Sequence, residues 1–194
     1  MKTRLFSCLL TLALLLAAAP AVQAANMAYT DVPADHWAYA DIANVTEAGL
    51  FQGVDATTFG VGQTMTRAQF VTALVRLFDW ETVIPEMPTF SDCSDPNRWY
   101  YSAVETAYAN GALPSYATSF RPLDPITREE MATMMVRALG YTSLAGRMSA
   151  SQLPFNDVTT NQGYIAVAYD LGLVNGYASG QFKPDQAATR EQAA

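Results

Sequence analysis

Thr66-Arg67-Ala68-Gln69, Thr127-Arg128-Glu129-Glu130 and Thr189-Arg190-Glu191-Gln192 write one four-residue pattern three times, at intervals of 61 and 62 residues. So regular a spacing marks a tandem array, to be read repeat by repeat. Thr followed three residues later by Gln or Glu is a capping box, which opens a helix. The residue before each Thr is apolar (Met65, Ile126, Ala188), as is the residue four after it (Phe70, Met131, Ala193), which is the pattern of a hydrophobic staple. Each box puts Arg at the first helical position. A cation there is poorly placed for the helix dipole and well placed for an anion held by the helix's first amides. The sequence therefore predicts three anion-binding helix starts, at Arg67, Arg128 and Arg190.

Working outward, each box is preceded by a loop with an aromatic centre: Thr58-Phe59-Gly60, Ser119-Phe120-Arg121-Pro122 and Gln181-Phe182-Lys183-Pro184. Further upstream stands aromatic-x-Asp: Tyr29-Thr30-Asp31, Phe90-Ser91-Asp92 and Phe155-Asn156-Asp157. A turn and an aromatic helix start follow, at Trp37 and at Trp99-Tyr100-Tyr101, and these Ala-rich helices end at Gly49 and Gly111. The third copy lacks that Trp and reads as a shorter helix, Tyr164 to Gly172. The second helices are expected from Arg67 to about Trp80 and from Arg128 to about Gly140, with Phe70, Leu74 and Leu77 on one face and Met131, Met134, Met135 and Ala138 on the other copy's face. A second Arg, Arg76 or Arg137, recurs nine residues after the first. Glu81 to Pro88 and Ser143 to Gln152 read as linkers.

The expected fold class is all-α: two main helices per repeat joined by a long loop, over residues 28–80, 89–142 and 154–194, behind a secretory signal at 1–24. Lys2 and Arg4, the apolar stretch Leu9 to Ala19 and the small residues Val22-Gln23-Ala24 compose that leader. The mature chain is thus expected to be secreted, with no membrane span. The third copy stops at Ala194, five residues after its Thr, which suggests a fragment of a longer product.

Removing Lys2 and Arg4 from 11 basic residues leaves 9 against 18 acidic ones, a net charge of −9. An acidic chain with no basic run is a poor partner for nucleic acid. An acidic ligand would have to be held by individually placed arginines. Cys93 alone survives leader removal, so no internal disulfide forms. His36 is the sole His and lacks the companions of a metal site or a catalytic triad; no metal, cofactor or catalytic residue is expected. Asp31, Asp92 and Asp157 recur once per repeat, which fits bracing of the following turn better than a glycosidase carboxylate pair. Trp37 and Trp99 fit either the core or a sugar-stacking surface.

Aromatic-x-Asp, Asp31-Val32-Pro33-Ala34-Asp35-His36-Trp37-Ala38, Gly172-Leu173-Val174-Asn175-Gly176-Tyr177-Ala178-Ser179-Gly180-Gln181-Phe182-Lys183-Pro184 and Met65-Thr66-Arg67-Ala68-Gln69 together resemble the S-layer homology (SLH) module, and the resemblance covers residues 28 to 194. It implies modules packed as a pseudo-threefold helical unit. Grooves between them would bind a secondary cell-wall polysaccharide or peptidoglycan-linked polymer, often pyruvylated, and so tether a bacterial surface protein without a covalent bond. It carries ligand contact onto Arg67, Arg128 and Arg190, and onto Trp37, Trp99, Asp31, Asp92, Gly53 and Gly176. The Arg67 groove lies nearest the family pattern and the Arg190 groove furthest from it. Two other readings stay open: the anchoring portion of a cell-wall or polysaccharide hydrolase whose catalytic domain lies beyond Ala194, and an S-layer subunit that associates with itself.

Overall fold

Every second helix begins at its capping-box Arg. In the computed structural model, which describes residues 29–148 and 153–194, α2 spans Arg67–Leu77, α4 Arg128–Ala138 and α7 Arg190–Ala193. Thr66 and Thr127 accept from the third helical amide, while the Gln69 and Glu130 side chains accept from the Thr amides in return. The first helices are α1 (Tyr39–Glu47), α3 (Tyr101–Ala109) and α6 (Gln162–Asp170), and a short α5 spans Thr142–Ala145. The first helices end into Gly49, Gly111 and Gly172, whose φ values of 70°, 77° and 71° only glycine adopts without strain. The described residues contain isolated β-bridges but no strand. The expected leader, 1–24, lies outside the described residues, as do 149–152 of the second linker.

Two expectations need correction. The third first-helix is not short: α1, α3 and α6 each have nine residues. The residues missing from the third copy come out of the turn between Asp157 and the helix, where Asn161 adopts a left-handed φ of 46° and starts α6 at once. The second linker is also not featureless. It forms α5, whose Ala145 is buried against α6; a Cβ on Gly163 would lie 1.9 Å from the Ala145 carbonyl oxygen, so only glycine admits this packing.

The repeats interlock in a ring. Helix α2 packs on α3, and α4 on α6, so these two second helices each lie against the first helix of the next repeat. At the centre, Met65 N–H donates to Ala188 O (3.0 Å), Ala188 N–H to Ile126 O (2.8 Å) and Ile126 N–H to Met65 O (2.9 Å). These three bonds close a circuit through all three repeats, and the three donor residues are the staple positions, all buried. Within each repeat the leading aromatic packs on the loop Phe: Tyr29 on Phe59, Phe90 on Phe120 and Phe155 on Phe182, with ring centroids 5.6, 5.7 and 5.4 Å apart. The loop phenylalanines are among the largest fully buried side chains and fix the height of each loop against the ring.

Candidate functional site: the grooves between repeats

The capping-box arginines run around the same ring. Arg67 Nε donates to Phe120 O at 2.7 Å, Arg128 Nε to Phe182 O at 2.8 Å and Arg190 Nε to Phe59 O at 2.8 Å. Each guanidinium therefore reaches into the loop of the next repeat, and the third reaches back to the first. Each also sits over that loop's ring, 4.8, 4.7 and 4.8 Å from the centroid. Arg67 and Arg190 are buried; burial lowers the pKa of all three from the ordinary guanidinium value, with nearby Glu130, Tyr177 and Tyr29 respectively acting against the shift.

The premise that these helices offer free amides to an anion is overturned. Arg67 N–H and Ala68 N–H donate to Asp124 O and Pro122 O, and Arg128 N–H and Glu129 N–H donate to Gln186 O and Pro184 O. Arg190 N–H donates to Gln63 O. With the third amide of α2 and α4 taken by the capping Thr, the starts of these two helices are sealed, their first two amides by the neighbouring repeat. The donors left at these helix starts are guanidinium nitrogens, not the helix amides of α2 and α4.

The leading aspartates fix the loops. Asp31 accepts from Phe59, Gly60 and Val61 amides, Asp92 from Phe120 and Arg121, and Asp157 from Phe182 and Lys183, at 2.7–2.9 Å. Burial pushes these carboxyls up, but the amide bonds outweigh it and hold each below 3.8. Asp31 and Asp92 thus orient the carbonyls that grip the arginines. Gly53 and Gly176 are positions of close approach: a Cβ would come within 2.5 Å of the Tyr29 ring in one and 2.2 Å of the Phe155 ring in the other.

Two cavities flank the ring at equivalent places. The larger, about 590 Å³, has Arg190 at one end, the Gln52-Gly53-Val54 loop and the Gln69, Thr72 and Arg76 face of α2 as walls, and Trp99 as a lip. The smaller, about 230 Å³, repeats the plan with Arg67, the Pro114 loop, the Glu130, Thr133 and Arg137 face of α4, and Asn161 and Tyr164. The groove furthest from the family pattern in sequence is therefore the roomier one. Trp99 is 58% exposed and Trp37 67%, so neither belongs to the core; Trp37 lines neither cavity. Arg128, whose Nη2 donates to Asn175 O at 2.7 Å, stands beside Tyr177 and likewise lines neither. Arg76 and Arg137 had been given no role by the sequence, though their nine-residue recurrence was its visible signal. His36 Nδ1 accepts from Ala38 N–H at the start of α1. Cys93 is buried, and that burial together with Asp92 pushes its thiol up to about 12. Among the described residues no helix is long and apolar enough to cross a membrane, and no cluster of three or more potential ligands could hold a metal.

Interlocked two-helix repeats with arginine-lined grooves define the class of this chain, a tandem all-helical repeat unit. Residues 28–71, 94–132 and 154–194 match the S-layer homology domain family, and the chain belongs to it. It is 33% identical over 86% of its length to an endoglucanase of Bacillus sp. (strain KSM-635), covering 18% of that protein. It is 30% identical over 87% of its length to exoglucanase XynX of Acetivibrio thermocellus, covering 16% of it. It is also 27% identical over 89% of its length to the S-layer protein of Bacillus thuringiensis subsp. finitimus, covering 21%. SLH domains anchor surface proteins to the cell wall, which places this chain at the cell surface.

Proposed function

We propose that the grooves between repeats bind an acidic, pyruvylated secondary cell-wall polysaccharide and so hold this chain, and whatever it is joined to, on the wall. The observation that carries the reading is the Arg190 cavity. It has two arginines, Arg190 and Arg76, in its wall, no carboxylate among its lining residues, and a half-exposed Trp99 at its edge. Guanidinium groups bind carboxylates in a fixed, bidentate geometry, and an indole face packs against a sugar ring. Arg190 Nη2 is held by Gln52 O while Nη1 makes no protein hydrogen bond among the described residues, so a donor is left for a ligand.

The test is co-sedimentation of the chain with purified walls before and after the secondary polymer is stripped. Sedimentation should require the polymer, and Arg76→Ala should weaken it at least tenfold while leaving the helical circular dichroism unchanged. Equal sedimentation with stripped walls sinks the reading.

A second reading concerns the parent protein. Relatives named as an endoglucanase, an exoglucanase and an amylopullulanase match the chain over 18%, 16% and 9% of their own lengths. This pattern supports the chain as the anchoring portion of a polysaccharide-degrading enzyme, whereas the S-layer relatives support a self-assembling subunit. A reading frame encoding a glycoside hydrolase beyond Ala194 decides for the first, and wall-free sedimentation of the chain as large assemblies decides for the second.

A further inference from the structure

We infer that Tyr164 sets the size of ligand that the Arg67 groove takes: its ring confines that groove to a single sugar residue, whereas the Arg190 groove holds a sugar and its neighbour in the glycan chain. The inference rests on the reading of these grooves as glycan sites.

The two grooves share most of their walls. Each pairs a capping-box arginine with the late arginine of the next repeat's second helix, Arg190 with Arg76 and Arg67 with Arg137. Thr72 matches Thr133, and Gln69 matches Glu130, a side chain of nearly the same size. Glu130 meets Arg67 Nη1 at 2.6 Å, where Arg190 turns Nη2 to the Gln52 carbonyl. That exchange alters charge and little volume, yet the cavities measure about 590 and 230 Å³. Pockets that enclose a drug-sized ligand run to about 300–1,000 Å³. The Arg190 cavity falls inside that range and the Arg67 cavity below it.

The bulk comes from the first helix of the following repeat. Trp99 and Thr160 each stand twelve residues before a helix-ending glycine, Gly111 or Gly172, and Ala103 and Tyr164 each stand eight before it. At the Arg190 groove Trp99 forms the lip and Ala103 does not reach the cavity. At the Arg67 groove Thr160 donates to Glu129 Oε2 at 2.7 Å and does not line the cavity, whereas Tyr164 does. The aromatic has moved from the rim to the interior. The Tyr164 hydroxyl accepts from Arg137 Nη1 at 2.9 Å, and the guanidinium carbon lies 5.8 Å from the ring centroid, so the ring is held between α6 and α4. The matching Arg76 Nη1 donates to Leu50 O, within its own repeat. Met134 in place of Ala73 also adds volume, but it is buried, whereas Tyr164 is half-buried and meets whatever enters.

The smaller groove keeps the polar capacity of a binding site. Among the described residues its buried Thr133 Oγ1 and Arg137 Nε have no hydrogen-bond partner, whereas the Thr72 hydroxyl donates to Ala68 O at 2.8 Å. Buried polar atoms are ordinarily paired, which suits this groove to a compact polar ligand.

The probes are a methyl hexoside carrying a 4,6-pyruvyl ketal and the disaccharide that extends it by one hexose. Each is titrated into the full chain and followed through the arginine Nε–H resonances. The second sugar should tighten binding at Arg190 at least fivefold and change it less than twofold at Arg67. Tyr164→Ala should give Arg67 the gain seen at Arg190. Tyr164→Phe, which keeps the ring and loses the bond to Arg137, should keep the parent's ratio. Ala103→Tyr should remove the gain at Arg190. A gain at Arg67 equal to that at Arg190 in the parent chain overturns the inference, and this comparison needs no variant to fold. A folded Tyr164→Ala whose ratio stays within twofold of the parent's overturns it as well. Neither probe moving either arginine removes the glycan reading itself, whereas binding at both grooves with an equal gain from the second sugar removes only the size limit.

Discussion

The seam joining the third repeat to the first and the seam joining the first to the second are built alike, yet the cavities beside them differ in size and in charge. Both seams use an Nε-to-carbonyl bond of 2.7–2.8 Å, a guanidinium stacked on a buried Phe, and a central backbone bond. These contacts are made by backbone atoms or by residues repeated in all three copies. The cavity walls share Thr72 with Thr133 and Arg76 with Arg137, and differ where the copies diverge: Gln69 against Glu130 and Gln52 against Pro114. Equal seams let the ring close; unequal walls let one fold present two different sites.

The largest expected effect tests the equality of the seams. Phe59 and Phe120 are buried at 0% and 2% exposure, and each supports an arginine from the neighbouring repeat. Phe59→Ala and Phe120→Ala should each cost about 3–5 kcal/mol, as large-to-small changes of buried aromatics do. Urea unfolding of the two variants should give costs within about 1 kcal/mol of each other, within the usual context dependence of such changes. A much cheaper Phe59→Ala would mean that the seam closing the ring is weaker than the seam inside the chain.

Much of this architecture was legible beforehand. Capping boxes and staples located α2, α4 and α7 because they act within four residues, where sequence distance and spatial distance agree. The order of contact around the ring was not legible. Nothing in a repeat says which neighbour its Arg will meet, and Arg190 lies 131 residues from the Phe59 whose carbonyl it binds. For the same reason the sealing of the helix amides by Asp124, Pro122, Gln186 and Pro184 was invisible, since a carbonyl donated by the backbone leaves no side-chain signature. Helix α5 escaped notice because it is a single turn held by packing on Gly163. The tryptophans could not be placed as core or surface, since an aromatic at a helix start fits both.

The next effect in size comes from acid. Asp31, Asp92 and Asp157 have folded pKa values below the ordinary 3.8, so their bonds contribute stability that is fully present above that value and is lost as pH falls through the lowered ones. The urea midpoint should be nearly flat from neutrality to about pH 4 and decline below it. Asp31→Asn should lower the plateau by about 1–3 kcal/mol, the cost of weakening bonds to a charged acceptor, and should make the acid decline shallower. An unchanged decline in that variant would mean that acid acts elsewhere, and that the loop gripping Arg190 is not set by Asp31.

The smallest expected effect is the most telling for the difference between the grooves. Removing one partner of a buried ion pair ordinarily costs 3–5 kcal/mol, because a charge is left without compensation. Glu130→Gln should cost only about 1 kcal/mol or less, for a reason internal to the molecule. Arg190 is 5% exposed against 8% for Arg67, and it stands in the same place with a Gln opposite, held by two carbonyls, Phe59 O and Gln52 O, and a ring. The fold therefore already tolerates this guanidinium without a facing carboxylate. Thermal unfolding of Glu130→Gln within about 1 kcal/mol of the parent separates the ion pair from the scaffold and leaves it as a feature of the groove. A loss of several kcal/mol would instead make Glu130 part of the seam, and the charge difference between the two grooves would follow from folding.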